Sequence, residues 1–241
     1  MQNKNTLSYV ALIGIHLLIG FAVFVIPFLA KIYALLIIGV GLFIVIKTRN
    51  GNNQALIVAA YLTGAEVLLR MKNGVPLYEF GKYGVIFFLF IGIIYRGFSR
   101  QSFIYWVFIL ILLPGAFYSF FTLSSDEDIR KAIMFNLSGP ICLAVSSIYC
   151  FNRPISFKQL NHVLLAVSLP ILSVLIYLVF YTPSIKEVVI STGSNFATSG
   201  GFGPNQVSTV LGLATFVFLS RVVLESSNKF NLIFWPLLVD K

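Results

Sequence analysis

The sequence predicts an all-α integral membrane protein, a multi-pass helical bundle, on three observations. Apolar residues make up 58% of the 241 and charged residues only 10%, against about 25% charged in soluble domains. Apolar runs near the roughly 20 residues that cross a bilayer recur along the whole chain. These runs are continuous rather than alternating, which suits helices that satisfy their own backbone in lipid and not the strands of a barrel. A soluble globular domain is excluded, because 17 Lys plus Arg and 8 Asp plus Glu cannot furnish its polar surface.

Eight spanning segments are expected, at 7–26, 32–46, 55–69, 77–95, 103–121, 132–151, 163–181 and 207–220. The first opens like a signal peptide, with Lys4 ahead of an apolar run. No small-residue cleavage site follows, however, and apolar sequence resumes after Lys31, so it reads as a retained helix. Pro114, Pro140 and Pro170 fall inside three segments, where membrane helices tolerate proline as a kink rather than an end. Cys142 and Cys150 share one segment and on a helix stand about 12 Å apart, too far for a disulfide, so they read as packing residues. A ninth segment, 230–239, stops at Asp240–Lys241 after about half a membrane thickness. The chain therefore reads as the front part of a longer protein, with an interfacial helix as the alternative.

Orientation follows from Lys and Arg near the membrane ends. The N-terminus and even-numbered connections hold Lys4, Lys47, Arg49, Arg96, Arg100, Arg153, Lys158, Arg221 and Lys229 with Glu225 as the one acid. The odd connections and adjoining helix ends hold Lys31, Arg70, Lys72, Lys82, Arg130, Lys131 and Lys186 against six acids. The N-terminus is expected in the cytoplasm and the odd loops outside. The net charge of +9 does not mark a nucleic-acid binder, because the bases lie singly and in pairs between apolar runs rather than in a patch.

Two constellations could carry chemistry. Glu66 and Arg70 are four apart and Glu79 and Lys82 three apart, so each pair shares a helix face. A carboxylate within a spanning segment is costly and marks a functional candidate. If 71–76 turn between the helices, both pairs converge on one outward cavity; an ion-pair network that locks two helices is the other reading. The second constellation is the outward connection 182–206, fifteen of whose 25 residues are Ser, Thr, Gly, Asn or Pro. A segment so long and polar is either a binding element or unordered. It ends in Ser199-Gly200-Gly201-Phe202-Gly203-Pro204-Asn205-Gln206 ahead of a helix. Glycines there admit close approach of a ligand to the backbone, and a helix N-terminus favours anions. Asn205 and Gln206 offer donors and acceptors suited to sugar hydroxyls; a flexible turn capped by Asn205 is the alternative.

Other features read more plainly. The acids in Ser124–Asp128 precede a helix, where the dipole favours them. His16 lies mid-helix as a packed or interhelical hydrogen-bonding group, and His162 falls in a cytoplasmic loop. The aromatic residues suit lipid-facing and interfacial positions. No nucleotide loop, zinc motif or serine-hydrolase elbow is present.

Phe202-Gly203-Pro204-Asn205-Gln206-Val207-Ser208, with Gly212 and Leu213 behind it, resembles the segment that opens the shared domain of the O-antigen ligase and O-antigen polymerase family. Gly64-Ala65-Glu66 with Arg70, and Glu79-Phe80-Gly81-Lys82-Tyr83, resemble the front half of its exopolysaccharide-type members. The resemblance implies about a dozen membrane helices, of which 8–9 are present here: transmembrane helices over 1–190 and the start of the shared domain over 191–241. It implies a bacterial cytoplasmic membrane location. It also implies transfer of glycan from an undecaprenyl diphosphate carrier to lipid A core or a growing polysaccharide, without metal, nucleotide sugar or cofactor. The substrate-binding residues expected on this basis are Glu66, Arg70, Lys72, Glu79, Lys82, Gly203, Asn205 and Gln206. Of these, Arg70, Lys72 and Lys82 would hold the anionic carrier and Asn205 and Gln206 would lie near the sugar. The family's catalytic arginine and histidine come later than residue 241, so no catalytic residue is assigned and the chain alone is expected to be inactive. A lipid-linked glycan transporter and an inactive truncated product are the alternatives.

Overall fold

The computed structural model describes residues 2–75, 77, 79–122, 129–182 and 195–225. Among these the chain is all-helical, with no strand: α1 (Gln2–Val25), α2 (Leu29–Thr48), α3 (Gln54–Met71), α4 (Phe80–Arg96), α5 (Phe103–Thr122), α6 (Ile129–Cys150), α7 (Phe157–Tyr181) and α8 (Pro204–Glu225). Short 3-10 turns, Arg100–Ser102 and Ala197–Ser199, lead into α5 and toward α8. Four stretches are long and apolar enough to cross a membrane: α2, α3, Arg100–Tyr118 and α7. Shorter apolar stretches, Tyr9–Val25 and Met134–Cys150, lie in α1 and α6. The remaining predicted segments are helical too, but α4 has 17 residues, about 26 Å, and α8 is interrupted by Asn, Gln, Ser, Thr and Arg. The acids of Ser124–Asp128, residues 183–194 of the 182–206 connection, Lys186 among them, and the ninth segment lie outside the described residues.

Helix boundaries differ from the hydropathy reading where polar residues begin or end a helix. α7 starts at Phe157 rather than 163, because Ser156 and Gln159 form a reciprocal capping box. His162 therefore stands on α7, though exposed, and not in a loop. Pro204 opens α8, where its missing N–H is no loss, so Asn205 and Gln206 belong to a first helical turn rather than to the loop. Pro114, Pro140 and Pro170 all lie inside helices.

α3 is the hub. It packs most extensively on α7 and α4, and also touches α2 and α8. α1 packs along α7, while α6 joins α4 to the peripheral α5. α3 approaches α7 to backbone distance: a methyl group on Gly64 would collide with the Val167 carbonyl. Gly20 of α1 meets the Ser173 backbone of α7 in the same manner. Small residues that let backbones close up are the usual means of holding helices where lipid offers no hydrophobic drive. Leu62, Leu68 and Leu69 of α3, Phe88 of α4 and Val174 and Tyr177 of α7 fill the core. α5, in contrast, exposes Phe103, Ile104, Leu110, Ile111 and Phe117, an apolar surface suited to lipid.

Polar side chains are satisfied at mid-height and at one end of the bundle. His16 donates from Nδ1 to the Leu12 carbonyl at 2.7 Å and accepts from the Tyr61 hydroxyl at 3.0 Å, which in turn meets Tyr33 at 2.8 Å. At the α2–α3 turn, Arg49, Asn50 and Asn53 adopt left-handed φ of 48°, 54° and 58°, a region asparagine tolerates well. Asn50 donates to Tyr149 at 3.0 Å and Gly92 at 3.3 Å and accepts from the Ala55 N–H at 3.0 Å. Arg153 donates to the carbonyls of Tyr149 at 2.7 Å and Gly97 at 2.8 Å and lies over the Tyr149 ring. These bonds tie the ends of α2, α4 and α6 together.

Replacing Gly64 by Ala should force α3 and α7 apart and lower unfolding stability by about 1–3 kcal/mol or more. Gly39→Ala, where added bulk meets open space, should leave it unchanged or slightly raised. Thermal melting of the two purified variants checks the difference.

Candidate functional site

The opposite end of the bundle carries the residues singled out in the sequence. α3 ends there, α4 begins there, α7 ends there and α8 begins there. The Ala197–Ser199 turn closes against α3 and α7 through Gly200, whose φ of +73° suits glycine. A side chain at 200 would press on Tyr177 and Met71. Ser199 is buried and donates to the carbonyls of Phe202 at 2.5 Å and Phe196 at 3.1 Å, fixing the turn that delivers Phe202 to α3. Gly203 then accepts the N–H groups of Gln206 and Val207, both at 3.1 Å, and starts α8.

A cavity of about 300 Å³ lies between the C-terminal half of α3 and the first turns of α8. Its polar and aromatic walls are Glu66, Arg70, Phe202, Asn205, Gln206 and Thr209. The two constellations, far apart in the chain, thus meet in one place. Glu66 accepts from Arg70 at 3.5 Å, an ion pair at the long limit of a hydrogen bond. The Arg70 guanidinium also lies 5.1 Å from the centre of the Phe202 ring, within cation–π range. The Glu66 carboxyl occupies room left by Gly81, where a methyl group would strike it. Thr209 donates to the Asn205 carbonyl at 2.7 Å, one turn back. The side-chain amides of Asn205 and Gln206 are exposed and take no protein partner among the described residues.

Among the described residues Glu79 and Lys82 do not line this cavity, although the Glu66 carboxyl rests against Gly81 between them and lies within electrostatic reach of both. Glu79 and Lys82 pair at 2.5 Å but face α6, where Lys82 donates to Ser138 at 3.2 Å and Ser138 donates to Glu79 at 3.2 Å. The ring of Phe135 flanks Lys82. α4 packs α6 on one side and α3 on the other, and residues 79 and 82 fall on the α6 side. Lys72 is likewise outside the cavity: its ammonium lies 5.2 Å from the Tyr177 ring and 6.0 Å from that of Tyr181, which stack on each other. Gly203 caps α8 and does not line the cavity.

Three contributors went unremarked in the sequence. Ser138 sits in the polar interruption Asn136-Leu137-Ser138 of an otherwise apolar segment, a signal that membrane helices use such residues between helices. Thr209 is four after Asn205 and so on its face of α8. Nothing in the sequence marks Phe202 as the partner of Arg70. Among the described residues no group of His, Cys, Asp or Glu is placed to hold a metal. Comparison with family models, curated proteins and solved structures finds no match.

The Glu79–Lys82–Ser138 cluster predicts unequal effects of breaking it. Glu79 is only 6% exposed and Lys82 33%. Lys82→Ala strands a buried carboxylate and should cost about 2–4 kcal/mol. Glu79→Ala leaves an ammonium that can swing to water and should cost about 1 kcal/mol. The double substitution should fall well short of the sum, as read from unfolding of the purified variants.

Proposed function

We propose that the chain is part of an integral-membrane glycan ligase or polymerase, in a bacterial cytoplasmic membrane, and that the cavity between α3 and α8 receives the carrier-linked glycan. The transfer is from undecaprenyl diphosphate to lipid A core or a growing polysaccharide. The observation that carries this reading is the meeting, in one cavity, of the Glu66–Arg70 pair with Asn205 and Gln206. These are the residues in which the sequence resembles that family, and the fold brings them together from distant segments.

The arrangement of the helices supports a full set of spans. α1 and α3 run parallel to α7, as the contacts Gly20 to Ser173 and Phe24 to Tyr177, and Gly64 to Val167 and Lys72 to Tyr177, require. α8 runs against them, with Arg221 of its far end over Tyr9 of α1. Alternating helices then cross together, the N-terminus on the cytoplasmic side and the cavity on the outer side, as loop charges favour. That is the side where a lipid diphosphate, already an activated leaving group, is consumed without metal or nucleotide. Donors that hold the substrate and orient it account for the part of such chemistry assigned to this chain. No general base is assigned among its residues.

Chromosomal Arg70→Ala or Asn205→Ala should reduce surface polysaccharide at least tenfold with the protein retained in the membrane, scored by glycan gels and immunoblot; unchanged polysaccharide would overturn the reading. The orientation is checked separately. With Cys142 and Cys150 changed to Ser, an impermeant maleimide applied to intact cells should label Thr198→Cys and not Ser156→Cys. Both positions are exposed.

A further inference from the structure

Resting on that reading, we infer that the α3–α8 cavity is a subsite for an uncharged sugar, and that the diphosphate of the carrier binds elsewhere. The inference follows from charge compensation and from unused hydrogen-bonding capacity. A diphosphate needs a surplus of positive charge or an array of donors directed at it. Among the described residues Arg70 is the one cation of the cavity wall. It is offset by Glu66 on one side at 3.5 Å and engaged by the Phe202 ring on the other at 5.1 Å. A diphosphate placed there would also meet the Glu66 carboxylate, a like charge in a half-buried setting where repulsion is poorly screened.

A polyhydroxylated ring asks for the opposite, a balanced set of acceptors and donors. Among the described residues Glu66 accepts one long hydrogen bond, so its carboxylate retains acceptor sites. The amides of Asn205 and Gln206 present a carbonyl and an NH₂ each and use neither within the described protein. The Thr209 hydroxyl spends its proton on the Asn205 carbonyl and keeps its lone pairs. At about 300 Å³ the cavity lies at the small end of ligand pockets and suits a fragment of a glycan rather than a lipid-linked chain. Lys72, beside the stacked Tyr177 and Tyr181, has no carboxylate within ion-pair distance among the described residues. It is the better placed cation for a headgroup phosphate at the membrane end of α7.

Saturation-transfer NMR on the full chain in nanodiscs tests this with glucose, galactose, N-acetylglucosamine and lactose as probes and inorganic pyrophosphate as competitor. At least one sugar should receive saturation. Asn205→Ala/Gln206→Ala, which alters exposed side chains only, should cut that signal at least fivefold with an unchanged melting temperature. Equimolar pyrophosphate should leave the sugar signal intact. Displacement of sugar by pyrophosphate, no transfer to any of the four sugars, or an undiminished signal in the double variant would overturn the subsite. If the sugar binds as described while the same chromosomal substitutions leave surface polysaccharide untouched, the subsite stands and the ligase or polymerase reading fails. If polysaccharide is lost but pyrophosphate displaces the sugar, the reverse holds.

Discussion

The close approach of α3 to α7 is the constraint on which the rest of the molecule depends. In an apolar surrounding, two oily helices gain little by touching, since lipid solvates their side chains as well as a neighbour does. What favours association is backbone proximity and polar groups that lack any other partner. Gly64 provides the first by letting α3 settle on the Val167 carbonyl. With α3 fixed there, Ala65, Leu68 and Leu69 turn into the core. Glu66 and Arg70, on the adjoining face, are left at its edge, and α8 packs against the same two helices. The position of the cavity is thus a consequence of which face of α3 is small.

The second constraint is the treatment of charge. Each carboxylate described in the bundle sits beside a base of its own helix neighbourhood, Glu66 with Arg70 and Glu79 with Lys82. Pairing of this kind lowers the cost of placing ions near lipid. The two pairs have different surroundings. Ser138 and Phe135 close around Lys82, so that pair joins α4 to α6. The Glu66–Arg70 pair is longer and opens on a cavity. The same sequence device, opposite charges one helical turn apart, serves packing in one case and leaves a ligand-accessible wall in the other. Neighbouring helices decide which.

This explains how far the molecule was legible in its sequence. The helices were, because continuous apolar runs leave few alternatives, and the internal prolines did not mislead since membrane helices carry them. The ion pairs were legible from spacings of three and four. Their partners across the bundle were not: that Lys82 meets Ser138 or that Arg70 lies over Phe202 depends on which helices are neighbours, and intervals along one helix carry no such information. For the same reason the spacings could not tell which of the two pairs lines the cavity. That α3 and the Gly203–Gln206 segment both bind substrate was expected from a resemblance; that they meet was not read from the sequence, and the meeting rests on Gly200 and Ser199, whose role appears only when α7 lies beneath them.

The two polar ends of the bundle differ in a way that separates scaffold from site. At the α2–α3 turn, Asn50 bonds Tyr149, Gly92 and Ala55, and Asn53 bonds Tyr149 and Pro154. Arg153 caps two carbonyls and covers the Tyr149 ring. Networks satisfied to this degree rigidify a structure and offer little to a ligand. At the α3–α8 end, a carboxylate with one long partner and two amides with none among the described residues surround a cavity. A polar group that remains unmet by protein must be met by water or by substrate. The fold thus anchors α3 firmly at one end, where it leaves the α2–α3 turn, and sets its other end beside the exposed amides of α8. Polar groups carried on rigid helices around a cavity are the arrangement that can orient a ligand rather than merely contact it.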